Sequence, residues 1–181
     1  MKSLVVYQSR FGNTEHLAHK IAEGIGQAGG AASVVDVRRI QPDDLTGCDL
    51  LVLGAPTHAF AGSRRTTPDD AVRRGSEQAR ALLGVREWLT TLDNAFPSAT
   101  DRPVVAVFDA RVERIRRLQG PAAKRAARVM RVQGFDVIAP PTSFYIADLR
   151  DRPTFGELDR ARSWAARLPS LAKRQSSRGV P

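Results

Sequence analysis

The feature that most narrows the possible folds is the passage from residue 3 to residue 30, where a strand pattern turns through a one-glycine loop into a helix. Ser3–Gln8 (SLVVYQ) is a short apolar run rich in β-branched and aromatic residues, bounded by Ser9 and Gly12, as expected of a buried strand. From Asn13 the spacing becomes helical. Leu17, Ala18, Ile21 and Ile25 fall at i, i+1, i+4 and i+8, and Gly29-Gly30 stop the helix. The alternation then continues. Ala32–Val37 reads as a second strand, Asp43, Asp44 and Gly47 punctuate a connection, and Asp49–Leu53 reads as a third strand ending at Gly54-Ala55-Pro56.

Residues 57–75, with Gly62, Pro68 and Gly75 and little periodicity, form a loop long enough to imply a binding role. Residues 76–92 read as a helix whose apolar face includes Leu82, Val85, Trp88, Leu89 and Leu92. Pro103–Phe108 is a fourth strand, and Pro121–Gln133 a helix opened by proline and closed by Gly134. Phe135–Ile138 begins a fifth strand that Pro140-Pro141 interrupt and Ser143–Ile146 resume; residues 156–171 form the last helix. Strands alternating with helices imply βαβ units and a parallel sheet. The fold class is therefore α/β, a three-layer sandwich with a five-stranded parallel sheet in the order 2-1-3-4-5. Ligands then belong at the carboxyl edge, beside the switch point between strands 1 and 3. One domain is expected over residues 1–171, with a polar, disordered tail over 172–181.

Composition excludes several function classes. No stretch approaches the roughly 18–20 apolar residues of a membrane span, and the N-terminal apolar run leads into a glycine loop without a signal-peptide cleavage pattern. Cys48 is the only cysteine, so an intrachain disulfide and a cysteine metal cluster are excluded and a reducing cytoplasm is the expected location. Cys48 itself reads as a buried small apolar residue. His16 and His19 lack metal-ligand spacing, and no metal is assigned. Charge is the unusual quantity. Lys and Arg total 28 against 19 acids, a net +9, which suits nucleic acid, an anionic membrane surface or an acidic protein. Eight basic residues lie between 111 and 131 (Arg111, Arg114, Arg116, Arg117, Lys124, Arg125, Arg128 and Arg131), with Glu113 the only acid. A solvated helix face is the plain reading and an acidic protein partner the functional one. Nucleic acid is disfavoured, since no helix-turn-helix, zinc or aromatic RNA signature accompanies the charge.

The first loop, Ser9-Arg10-Phe11-Gly12-Asn13-Thr14, opens the first helix. A helix N-terminus offers unpaired N–H groups and the positive end of the macrodipole to an anion. Ser9 and Thr14 add hydroxyls, Arg10 a charged donor, and Gly12 a close backbone approach. The loop is neither the dinucleotide GxGxxG nor the NTPase GxxxxGK[ST]. Residues Val5 to Ile21 (VVYQSRFGNTEHLAHKI) do resemble the flavodoxin signature at its constrained positions: apolar, apolar, aromatic, hydroxyl, small, Thr, Ala and aliphatic.

That resemblance implies a flavodoxin-like fold with bound flavin mononucleotide (FMN), its phosphate on Ser9–Thr14. It implies that the loop after strand 3, Pro56-Thr57-His58-Ala59-Phe60, wraps the flavin ring, with Phe60 or His58 stacked on it and Gly62 near flavin N5. Asp109-Ala110-Arg111, in the loop expected after strand 4, would lie at the ring's polar edge or form a surface ion pair. No aromatic residue stands there, unlike many flavodoxins. The implied function is electron transfer, with no catalytic acid or base and an acidic redox partner. The alternatives are an FMN-dependent NAD(P)H:quinone-type oxidoreductase and a non-catalytic module acting through its basic surface.

Overall fold

The computed structural model describes residues 1–9, 12–40, 42–55, 88, 92, 95, 96, 98, 101–113, 121–147 and 153–177. The strands are β1 (Lys2–Tyr7), β2 (Ala31–Asp36), β3 (Leu50–Ala55), β4 (Val104–Val112) and β5 (Thr142–Ile146). The helices are α1 (Asn13–Gln27), α2 (Pro42–Leu45), α3 (Ala122–Val132), α4 (Glu157–Ala165) and α5 (Leu168–Ser176). All five strands pair in parallel in the order β2-β1-β3-β4-β5. This is the α/β order expected from the sequence.

Alternation within the buried strands divides the core into two layers. Leu4, Val6, Leu51, Leu53, Val105 and Val107 face α3, whose Ala122, Ala123, Ala126, Ala127 and Met130 pack there with Trp88, Leu92 and Phe96. Val5, Tyr7, Leu50, Val52, Ala106 and Phe108 face the opposite way, onto Leu17, Ala18, Ile21 and Ile25 of α1 and Ala161, Trp164 and Ala165 of α4. The helices on that side touch closely. A side chain at Gly24 of α1 would overlap the Arg162 carbonyl of α4, so glycine is needed there. Phe108, Phe144 and Trp164 meet edge to face, with centroids 5.8–6.4 Å apart.

The structure corrects three sequence expectations. β4 does not end at Phe108 but runs to Val112, because β5 pairs with its far half: Phe108 with Thr142, Asp109 with Ser143, Arg111 with Tyr145. Asp109, Ala110 and Arg111 are therefore ladder residues and not a loop, and at 0%, 4% and 7% exposure they are no surface ion pair. The fifth strand is also shorter than expected. Val137 makes only an isolated bridge to Val105 before the proline pair, and β5 begins at Thr142. Lastly, the segment after residue 156 is two helices. Pro169 has no N–H to extend α4's ladder, so α4 ends at Ala165 and α5 carries on to Ser176, where a disordered tail had been expected from residue 172. The expected helix at 76–92 and the loop at 57–75 fall outside the described residues, apart from Trp88 and Leu92.

Candidate functional site at the carboxyl edge

β1 is buried from Ser3 to Tyr7 and delivers Gln8 and Ser9 to the carboxyl edge between β2 and β3. The turn into α1 is made by Gly12, whose φ of 85° lies in the left-handed region that glycine enters without steric cost. The Gly12 carbonyl accepts the His16 N–H at 3.0 Å and stands 2.9 Å from His16 Nδ1. A carbonyl can only accept, so Nδ1 carries the ring proton and clasps the turn. The sequence excludes His16 as a metal ligand by its spacing but does not show this clasp; its i+4 spacing from Gly12 is the available signal.

Among the described residues no side-chain hydrogen bond caps α1 at Gly12, an arrangement that suits an anion at its first turn. Glu15, the acid of that turn, is a hydrogen-bond partner of the Tyr7 hydroxyl. Burial, this hydrogen bond and the charges of Glu15 and Asp36 push the Tyr7 phenol up to about 12, with Arg39 opposing. Asn13 and Thr14 are buried, and Ser9 is half-buried. Thr14 closes on β3: a Cβ at Gly54 would stand 3.1 Å from the Thr14 methyl and 2.7 Å from Phe108 Cζ. The first turn of α1, the end of β3 and the middle of β4 thus converge on one glycine.

The second loop leaves the sheet after Ala55, which pairs in register with Asp109. Asp109 Oδ2 accepts the Ala123 N–H at 2.8 Å and so fastens the start of α3 to β4. Burial raises the Asp109 pKa, opposed by the Ser143 hydroxyl, the Ala123 and Ala122 amides and the Arg111 charge. Of the residues singled out in the sequence, the structure brings Ser9, Gly12, Asn13 and Thr14 together at the switch point, with Asp109, Ala110 and Arg111 two strands away on the same edge. Arg10, Phe11, Pro56, Thr57, His58, Ala59, Phe60 and Gly62 lie outside the described residues. Away from the edge, Cys48 is 5% exposed and donates to the Leu50 carbonyl at 3.3 Å. Burial lifts its thiol to about 11, which suits a core residue and not a nucleophile.

Residues 5–64 match the flavodoxin family model. The fold is flavodoxin-like. Among solved structures, this flavodoxin-like chain is similar to a flavodoxin from the domain Archaea, with a TM-score of 0.65 and 20% identity over 96% of this chain and 99% of that one. Oxidised flavodoxin 1 from Bacillus cereus gives a TM-score of 0.62 at 18% identity, covering 94% and 98%. Rubredoxin oxygen:oxidoreductase from Desulfovibrio gigas gives 0.63 at 15% identity, and there the match covers 97% of this chain but 36% of the larger protein. No curated protein sequence matches the flavodoxin-like chain significantly. No helix among the described residues is long and apolar enough to cross a membrane.

Proposed function

We propose that this chain binds FMN at the carboxyl edge and carries electrons, within a reducing cytoplasm, to or from an acidic partner protein. The observation that supports this most is the first turn of α1, entered through the left-handed Gly12 beside the switch point and without a side-chain cap at Gly12 among the described residues. The arrangement fits a phosphate: amides and a helix dipole for the charge, with Ser9 and Thr14 hydroxyls beside them. Arg10, Phe11 and Asn13 complete the phosphate loop in this reading. Residues 56–60 (Pro56, Thr57, His58, Ala59, Phe60) wrap the ring, while Asp109, Ala110 and Arg111 form the β4 side of the same edge. Bound FMN supplies one- and two-electron chemistry; the protein's part is to bind, orient and set the local charge.

For the partner, Lys124, Arg128 and Arg131 are exposed along one side of α3, spaced at i, i+4 and i+7, and the helix contains no acid. Among the described residues none of the three pairs with a carboxylate. Like charges so spaced repel one another, and an acidic protein surface relieves that repulsion.

Titration of the apoprotein with FMN tests the reading. One FMN per chain is expected, and Ser9→Ala or Thr14→Ala should each weaken binding about tenfold, as loss of a hydrogen bond to a charged group does. Absence of saturable binding at tens of micromolar FMN, about −6 kcal/mol, overturns it.

A further inference from the structure

At the opposite, amino edge of the sheet the structure holds a cleft that the flavin reading does not use. Its volume is about 530 Å³, within the range of small-molecule sites. One wall is the chain just before β5, at Pro140; the other is the junction of α4 and α5, from Trp164 through Arg167, Ser170 and Leu171 to Arg174. Pro169 stands at the start of α5, where this wall passes from one helix to the next. The five residues of β5, at roughly 3.3 Å each, put about 16 Å between this edge and the carboxyl edge.

The lining is one-sided in its chemistry. Pro140, Trp164 and Leu171 supply apolar surface, while no acid among the described residues lines the cleft. Arg167 and Arg174 are both exposed and lie seven residues apart, two turns along one side of α5 and about 10 Å in rise. Neither guanidinium pairs with a carboxylate or donates to a carbonyl among the described residues. The same holds for the Trp164 indole N–H and the Ser170 hydroxyl. The neighbouring arginines behave differently: Arg160 is held by Glu157 and Arg162 by Asp159. The cleft thus gathers two cations and two neutral donors without one anionic acceptor.

We propose that this cleft binds a small amphipathic anion, a molecule with an aromatic or short aliphatic body and one carboxylate, sulfonate or phosphate group. The body lies on Trp164, Leu171 and Pro140. The anionic group is held between Arg167 and Arg174, within reach of the Ser170 hydroxyl. Charge selects the ligand's sign, and the volume selects its size.

The test uses the full chain labelled with nitrogen-15 and two probes of one shape, 2-naphthoate and 2-naphthylmethylammonium. Saturable shifts of the Trp164 indole and Leu171 amide resonances are expected with naphthoate and not with the cation. Arg167→Gln combined with Arg174→Gln should weaken naphthoate at least tenfold, the loss expected for charge-assisted hydrogen bonds, with an unchanged unfolding midpoint. A control combining Arg128→Gln with Arg131→Gln removes equal charge from α3 and should leave naphthoate binding intact. Three results overturn the proposal: no saturable shift at millimolar naphthoate, equal shifts with the cation, or equal weakening in the control. Neither probe depends on flavin, so this outcome is separate from that of the FMN titration.

Discussion

Gly54 is where the candidate site is most exposed to a single methyl group. Phe108 cannot swing away from a new Cβ there, because it is fully buried and packed edge-on against Phe144 and Trp164. Thr14 cannot retreat without moving the start of α1. Gly54→Ala should therefore cost about 1–3 kcal/mol of stability, as overpacking does, and should weaken FMN binding by displacing the first turn of α1. Denaturant unfolding and FMN titration of the same variant measure the two effects. At this scale the sequence was partly legible. Gly12, Asn13 and Thr14 sit in a local pattern that reads directly, whereas the need for glycine at 54 comes from residues 40 and 54 positions away. No window along the chain contains such a contact.

Among the elements, α3 depends on one carboxylate. Asp109 meets the Ala123 N–H in the helix's first turn, and no acid of α3 itself serves that end. The direction of its pKa fixes the pH dependence. The raised folded value means that the native state holds the proton more tightly than the unfolded chain. The group's stabilising contribution is then complete below the ordinary value of 3.8 and is lost as pH rises through the folded value. Asp109→Asn keeps an acceptor for Ala123 and discards the charge. Its unfolding midpoint should match the native protein's in acid and exceed it at neutral pH, which thermal melts across that range will show. Asp109→Ala should instead cost about 1–3 kcal/mol in acid, since it strands a buried N–H, and less as pH rises. The strand boundary at this residue was misjudged for the same reason. Asp109 and Arg111 look like loop residues by composition, but the helix end and the β5 ladder make a strand of them. The break before α5 is the converse: Pro169 is visible in the sequence, yet the helix beyond it owes its place to packing of Leu168 and Ala172, both nearly inaccessible.

For the molecule as a whole, the alternation of strands and helices was enough to read the sheet order, because buried parallel strands are apolar runs and their crossovers must be helical. What charge does was less legible, since +9 states a sum and not a place. A cationic surround favours the anionic, reduced form of a bound flavin. The reduction potential should therefore be less negative than that of an acidic flavodoxin, and added salt should move it in the negative direction by screening. Spectroelectrochemical titration at low and high ionic strength decides this; a potential indifferent to salt would show that the surface charge does not reach the flavin. The sheet order has one more consequence, in time. Ser3 of β1 pairs with Leu50 of β3, and Leu50 in turn with Val104 of β4, so no central strand finds its neighbour nearby. Closing such long loops is slow. The helix-opening loop, though complete within the first fourteen residues, takes its final shape only when Gly54 arrives beneath Thr14. If the loop holds the FMN phosphate as proposed, that competence is a late event in folding, reached together with the sheet and not before it.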